Sequence, residues 1–372
     1  MRFYQLSLLL ILVALLLAPG CSDTLGPGVS KEKSTAEKSP LPEPIQEPAA
    51  QENAIPEDTS PAEDASFPPE ATHTEEESIH PKESFPETIA EAQPPQNHVT
   101  SPDQTLRFEL GFHNGALAYR VQKGARSLID WSRLGLALEG SPSFIGAFTI
   151  EKVSHKSVDT TWNPVWGQYA KVRDYHNEAT FQLRESSGNK RALELIARVF
   201  NDGIAFRYRI PGKAAGETIR LTDELTDFKF AEKGTAWSIP LSFDTNEKLY
   251  TKGPIANVKD ANTPITFRLN DGLHMAIHEA DLENYAGFSL KRSGKALKVT
   301  LPPADKANPS LKVLGKTPFV TPWRVVLITG SAAGLAESTT ILNLNDPCAI
   351  CSKGTNWIKP RKYVGIWWEI HK

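Results

Sequence analysis

The feature that most constrains this chain is a series of short segments, after residue 100, in which apolar and polar residues alternate and turn residues follow. The clearest examples are two pairs of segments that flank Asn-Gly and Asp-Gly turns: Thr105–Phe112 with Ala116–Lys123, and Glu194–Phe200 with Ile204–Ile210. A period of two places alternate side chains on opposite faces of a strand. Asn-Gly and Asp-Gly tolerate the positive φ of tight turns, so both pairs predict β-hairpins.

Further strands follow the same pattern, and no segment shows a long helical period. They are Thr180–Arg184, Ile265–Leu269, Leu273–Glu279, Phe288–Arg292, Leu297–Leu301 and Trp323–Leu327. Many short strands separated by turn signals are typical of packed antiparallel sheets. We therefore expect an all-β fold, a large antiparallel β-sandwich over residues 101–345.

The first residues have the features of a lipoprotein signal peptide. Residues 1–20 carry Arg2, then an apolar run, then Pro19-Gly20 before Cys21. The run is shorter than the roughly 18 to 20 residues that span a bilayer as a helix. We expect cleavage, lipidation of Cys21, and a place in the bacterial cell envelope, in the periplasm or at the outer membrane. Anchoring to a membrane by the lipid would follow.

Residues 21–100 are rich in Pro and Glu and poor in aliphatic and aromatic side chains. Such a segment cannot bury enough apolar surface to offset its conformational entropy. We expect a disordered tether. The net charge of the chain is −3, and it has no clustered basic helix, so nucleic acid is not an expected partner.

Several motifs, taken together and in order, resemble glycoside hydrolase family 97. They are Trp166–Tyr169, Asp174–Glu178, Arg198–Tyr208, His278–Leu282, Thr321–Arg324 and Asn356–Glu369. The resemblance implies a sandwich that precedes a (β/α)₈ barrel, in enzymes that cleave α-glucosides or α-galactosides. An α-linked oligosaccharide is then the expected ligand.

The resemblance also implies that one glutamate of the sandwich is a ligand to calcium, a cofactor shared with the barrel. We assign that role to Glu279, which follows His278 at the end of a predicted strand. Asp281 and Glu283 are the nearest competitors. A solvated glutamate at a strand end is the alternative interpretation.

Residues 346–372 are similar to the linker and first strand of the barrel. The chain would then be truncated at the start of that barrel. Tyr363–Ile370 is the expected strand, and the resemblance points to Trp368, Glu369 and His371 as substrate-facing residues. Trp166 is a further candidate for sugar contact. In the family both catalytic carboxylates come from the barrel, so we expect that residues 1–372 alone do not hydrolyse glycosides.

Two further sets of residues, three polar side chains and a cysteine pair, are open to more than one interpretation. Asp174, His176 and Glu178 could form a catalytic group, but a hydrogen-bond network on one strand face also explains them. Cys348 and Cys351 form the only Cys-x-x-Cys, and a local disulfide is expected in an oxidising compartment.

Two functions from different classes remain open. The first is the N-terminal domain of a calcium-dependent α-glycoside hydrolase, which contributes to the wall of the active site. The second is a non-catalytic envelope lipoprotein that binds glycans or a protein partner.

Overall fold

Along most strands, buried side chains alternate with more exposed ones, and the buried side chains form the core of the domain. In the computed structural model, the described residues are 97–347, except 165–166, 213 and 215, together with Lys359, Arg361 and Lys362. Most of them lie in antiparallel strands, which confirms the predicted all-β class. The first strand begins at His98, ahead of the start expected at residue 101.

The strands of the first half are β1 (His98–Thr100), β2 (Leu106–His113), β3 (Ala116–Lys123), β4 (Arg126–Arg133), β5 (Leu136–Leu138), β6 (Phe148–Trp162), β7 (Val172–Glu185), β8 (Ala192–Phe200), β9 (Gly203–Ile210), β10 (Thr218–Glu224) and β11 (Asp227–Phe230). The strands of the second half are β12 (Gly234–Ser238), β13 (Thr251–Pro254), β14 (Asp260–Asn262), β15 (Ile265–Leu269), β16 (His274–Ala280), β17 (Ser289–Ser293), β18 (Ala296–Thr300), β19 (Val313–Lys316), β20 (Phe319–Val320) and β21 (Trp323–Thr329). The helical elements are a 3-10 turn (Ile255–Asn257) and two short helices, α1 (Ala332–Glu337) and α2 (Thr340–Leu344).

Three sheets are formed. An eight-stranded sheet has the order β1-β2-β3-β4-β11-β18-β17-β14. A ten-stranded sheet has the order β13-β12-β15-β16-β21-β9-β8-β7-β6, with β20 paired to β9. A three-stranded sheet has the order β19-β10-β5.

The two large sheets pack face to face through aromatic side chains. Phe108 of β2 lies 6.2 Å from Phe181 of β7, and Tyr119 of β3 lies 4.6 Å from Phe206 of β9, between ring centroids. All four rings are fully buried. Interlocking inner faces of two antiparallel sheets define a sandwich, as predicted.

Strand β21 is buried on both faces. Val326 and Ile328 belong to the core between the sheets, whereas Val325 and Leu327 belong to a second apolar cluster on the outer face. Leu344 of α2 packs into that outer cluster. The strand therefore has no solvated face, which explains its continuous apolar sequence.

The first predicted hairpin is confirmed. His113 pairs with Ala116, and Asn114 and Gly115 both have positive φ, 50° and 76°. This is the backbone that a two-residue turn requires.

The second hairpin is also confirmed, but its glycine has another role. Phe200 pairs with Gly203, so Gly203 begins β9 and is not among the positive-φ residues. A Cβ at this position would lie 3.0 Å from the carbonyl oxygen of Val326. Glycine is needed here because β21 approaches closely, not because the chain turns.

Among the described residues, no helix is both long and apolar enough to cross a membrane.

Candidate functional site

Glu279 lies near the end of β16, with its side chain between the sheets. It shares the inner face with Met275 and Ile277, and its side chain is 10% exposed. Its Oε2 accepts a hydrogen bond from Nη1 of Arg324 at 2.8 Å, and its Oε1 accepts one from N of Phe288 at 3.3 Å. The carboxylate is therefore held between a neighbouring strand and the loop before β17.

The contact between Glu279 and Arg324 follows from the strand register. The two residues are direct partners in the pairing of β16 with β21. Arg324 is fully buried in a strand whose other inner residues are apolar. A buried guanidinium needs acidic partners close by.

Glu224, the last residue of β10, is the second acidic partner of Arg324. Its Oε1 and Oε2 accept hydrogen bonds from Nε at 2.8 Å and from Nη2 at 2.6 Å. Thr226 Oγ1 and the hydroxyl of Tyr285 also donate to this carboxylate, both at 2.9 Å. Glu224 and Arg324 thus form a fully buried bidentate pair with additional hydrogen bonds. We name Glu224, Arg324, Glu279 and Tyr285 the inner group.

The two glutamates of the inner group differ electrostatically. Burial by itself would raise the pKa of Glu224, but the charge of Arg324 and its hydrogen bonds hold that pKa below its ordinary value. Burial raises the pKa of Glu279, and Arg324 offsets the shift only in part. Glu224 is therefore the firmly ionised partner, and Glu279 is the carboxylate whose charge is less well compensated.

The loop after β16 comes close to Glu279 because it contains Gly287. A Cβ at Gly287 would lie 3.3 Å from Oε1 of Glu279. Asp281 and Asn284 in this loop have positive φ, 58° and 50°. Backbone in this region costs energy for non-glycine residues, so the surrounding contacts must hold the loop in place.

Asp281 and Glu283, the competitors of Glu279, have different surroundings. Asp281 is bound to Arg207, with Nη1 3.0 Å from Oδ2, and its N donates to Oδ1 of Asn345 at 2.9 Å. Glu283 is exposed. Both line a cavity of about 600 Å³ together with Arg207, Thr218, Asn284, Leu314, Gly315, Lys316, Pro318, Phe319, Val320, Thr321 and Asp346.

A second set of charged residues lies on the outer face of the ten-stranded sheet. The guanidinium carbons of Arg198 and Arg207 lie 4.8 Å and 4.2 Å from the ring centroid of Trp323. Arg198 Nε donates to Oε2 of Glu178 at 2.7 Å, and Arg207 is the partner of Asp281. We name Glu178, Arg198, Trp323, Arg207 and Asp281 the outer group.

Asp174, His176 and Glu178 share one face of β7, as the alternation indicated. Nδ1 of His176 lies 2.6 Å from Oδ1 of Asp174, and His176 is 2% exposed. Each side chain has a partner within the sheet, which agrees with the hydrogen-bond network that we expected. Trp162, at the end of β6, donates from Nε1 to Oδ1 of Asn343 at 2.8 Å.

The other predicted site residues lie outside the described residues. They are Cys21, Trp166, Cys348, Cys351, Trp368, Glu369 and His371.

Sequence reasoning gave no role to Glu224, Arg324 and Tyr285. One signal was present, because Arg324 is the only charged residue in the apolar strand Trp323–Thr329. Glu224 gave no comparable signal, since it follows Thr222-Asp223 in a strand with several polar residues.

The fold and this arrangement can now be compared with known proteins. The profile of a family described as glycosyl-hydrolase 97 N-terminal matches residues 99–347. A retaining alpha-galactosidase of Bacteroides thetaiotaomicron is 24% identical over an alignment of 303 residues, and the match covers 73% of this chain and 44% of the relative.

Solved structures show a similarity to the same family. A glycoside hydrolase family 97 enzyme from Pseudoalteromonas sp. strain K8, solved with acarbose and also with panose, is 32% identical, with a TM-score of 0.67. The match covers 74% of this chain and 41% of that enzyme. A beta-arabinopyranosidase, 23% identical and with a TM-score of 0.61, shares the fold.

The chain spans less than half the length of these relatives, and the part that matches is the sandwich. The chain belongs to glycoside hydrolase family 97, and residues 99–347 are the N-terminal domain of that family.

Proposed function

We propose that this sandwich forms part of the active-site wall of a calcium-dependent α-glycosidase and supplies Glu279 as one calcium ligand. The observation that carries the proposal is the inner group, in which two carboxylates share the single guanidinium of Arg324. When both glutamates are ionised, one negative charge in this buried group has no partner. An uncompensated buried charge is costly, and a bound cation would offset that cost.

The chemistry of the group fits calcium. The ion prefers carboxylate and carbonyl oxygens and takes six to eight of them. Among the described residues, Oε1 of Glu279 receives only the long hydrogen bond from N of Phe288. When bound, calcium would supply positive charge that orients oxygen groups of the substrate and stabilises negative charge near them.

Glu279 would need further ligands from another part of the polypeptide. No group of three or more His, Cys, Asp or Glu side chains that could hold a metal occurs within the described part of the chain. A shared site, in which the sandwich contributes one carboxylate and a second domain contributes the others, meets this condition. The two catalytic carboxylates would also belong to that second domain.

An α-linked oligosaccharide is the proposed substrate class. The relatives support it, because one is named a retaining alpha-galactosidase and another was solved with acarbose and with panose. In this proposal Trp166, Trp368, Glu369 and His371 contact the sugar, and aromatic rings among them stack on its apolar face. The proposal also includes a local disulfide between Cys348 and Cys351, as expected for a Cys-x-x-Cys in an oxidising compartment.

Attachment to the cell envelope is a separate part of the proposal. Lipidation of Cys21 would anchor the protein at a membrane, with residues 22–96 as a spacer. Expression with an alkyne-labelled fatty acid tests it. We expect label on the wild type and none on Cys21→Ser, and equal labelling of both would contradict it.

The enzymatic test uses the whole protein, expressed from its complete reading frame. We expect it to hydrolyse p-nitrophenyl α-glucoside or α-galactoside, to lose that activity in EDTA, and to recover it with CaCl₂. Hydrolysis that is insensitive to EDTA would contradict the calcium dependence.

The same experiment distinguishes the second candidate function, a non-catalytic binding protein, from the first. If the reading frame ends at Lys372 and the product binds oligosaccharide without cleaving it, the protein is a glycan-binding envelope lipoprotein. Trp162 at the end of β6, 39% exposed, is one of the exposed aromatic side chains in the described part of the chain that such binding would use, with Phe112, Phe243 and Tyr250.

A further inference from the structure

The backbone position of Glu279 does not by itself fix the position of its carboxylate. Glu279 is close to the end of β16, and the loop that covers it contributes Gly287, which has no side chain. A glutamate has several rotatable bonds, and a metal ligand works only if its oxygen is held in one place. The strongest contact that fixes it is the 2.8 Å hydrogen bond from Nη1 of Arg324 to Oε2.

Arg324 is itself held by a chain of buried hydrogen bonds. Glu224 binds its Nε and Nη2, which fixes the plane of the guanidinium and leaves Nη1 directed at Glu279. Glu224 is fixed in turn by the hydroxyl groups of Tyr285 and Thr226. The ring of Phe288, whose centroid lies 4.5 Å from the guanidinium carbon, covers Arg324.

We propose that Arg324, locked by Glu224 and Tyr285, is a positioning residue that holds Oε2 of Glu279 and thereby presents Oε1 to a calcium ion. The inference rests on the proposed function of Glu279 and adds the residues through which the fold controls that ligand. Glu224, Arg324 and Tyr285 do not touch the ion; they act through Glu279.

The number of charges in the inner group, two carboxylates and one guanidinium, distinguishes this positioning role from a purely structural one. A buried ion pair needs one carboxylate for each guanidinium, and the bidentate contact with Glu224 already supplies it. Glu279 adds a second carboxylate at a buried position, which brings a desolvation cost without a matching cation inside the group. A bridge that only stabilised the fold would need an acceptor for Nη1 of Arg324, which a neutral oxygen could provide, but it would not need the second negative charge of Glu279.

The test measures calcium affinity of the whole protein by isothermal titration with CaCl₂, together with the melting temperature of the calcium-free form. Four variants are compared with the wild type: Glu279→Gln, Arg324→Lys, Tyr285→Phe and Arg191→Lys. Arg191→Lys is the matched control, because Arg191 pairs with Glu185 at 2.5 Å at the turn between β7 and β8, away from the inner group. Tyr285→Phe removes one hydroxyl and keeps the ring, so it tests positioning even if Arg324→Lys fails to fold.

We expect Glu279→Gln and Arg324→Lys to raise the calcium dissociation constant by about 10- to 100-fold, the usual effect of disturbing a ligand or its orienting partner. Tyr285→Phe should raise it by about threefold to tenfold, and Arg191→Lys should leave it unchanged. If Glu279→Gln weakens binding while Tyr285→Phe and any folded Arg324→Lys bind calcium like the wild type, the positioning role is overturned and the proposed function stands. If wild type and Glu279→Gln bind equally, or neither binds, the proposed function itself is overturned.

Discussion

The inner and outer groups both combine arginine, acidic and aromatic side chains, and they lie on opposite faces of the ten-stranded sheet. In the outer group each arginine has its own carboxylate: Arg198 has Glu178, and Arg207 has Asp281. In the inner group Arg324 serves both Glu224 and Glu279. The outer group is balanced in charge and the inner one is not, which supports a functional carboxylate, Glu279, between the sheets rather than on the outer surface of the sheet.

The groups also differ in burial and in what surrounds the guanidinium. Arg324 and Glu224 are fully buried, whereas Arg198 and Glu178 keep 21% and 17% of their side-chain exposure. The outer arginines stack on Trp323, so part of their contribution is packing and cation–π contact rather than charge. The inner group should therefore respond more strongly to the loss of its cation.

The largest effect should come from Arg324→Met. It leaves two buried carboxylates without a cation, and we expect a loss of about 3–5 kcal/mol in the free energy of unfolding, measured by urea denaturation. Arg198→Met is the matched change in the outer group. It should cost about 1 kcal/mol, because Glu178 is partly solvated and faces Lys156 on β6. Equal losses in the two variants would remove the distinction between the groups.

A smaller effect should come from Tyr285→Phe. The change removes one hydrogen bond to Glu224 at a buried position, and we expect a loss of about 1 kcal/mol in the same assay. Tyr169→Phe removes a comparable hydroxyl, which donates to the carbonyl of Glu337 in an exposed place, and should cost less than about 0.5 kcal/mol. A larger loss for Tyr169→Phe would mean that burial does not decide the value of these hydrogen bonds.

The smallest effect should be the response of the two groups to salt. The screening length falls from about 10 Å at 0.1 M salt to about 3 Å at 1 M, and buried pairs are screened far less than exposed ones. Double-mutant cycles at both salt concentrations should show that the Arg198–Glu178 coupling falls by about 0.5 kcal/mol. The Arg324–Glu224 coupling should stay constant, and a similar fall in both would contradict the difference in burial.

Much of the fold could be predicted because it depends on local pattern. Alternation identified β8 and β9, and the turn residues Asn114 and Gly115 identified the first hairpin. The close approach of β21 to Gly203 was not predictable, since it depends on which strand lies beside β9 in the sheet.

The site was only partly accessible to sequence reasoning for the same reason. Glu279 was selected from its position at the end of a strand and from the family resemblance. Its contact with Arg324 depends on the register of β16 with β21, and Glu224 reaches Arg324 from the three-stranded sheet. These contacts join residues that are far apart in the chain, so no local pattern reveals them.

The most direct test of the central claim is an anomalous difference map from crystals of the whole protein grown with CaCl₂. We expect a calcium peak 2.3–2.6 Å from a carboxylate oxygen of Glu279, the distance range of calcium–oxygen bonds. A calcium peak that lies away from Glu279, with Glu279 still bound only to Arg324 and the backbone of Phe288, would contradict it.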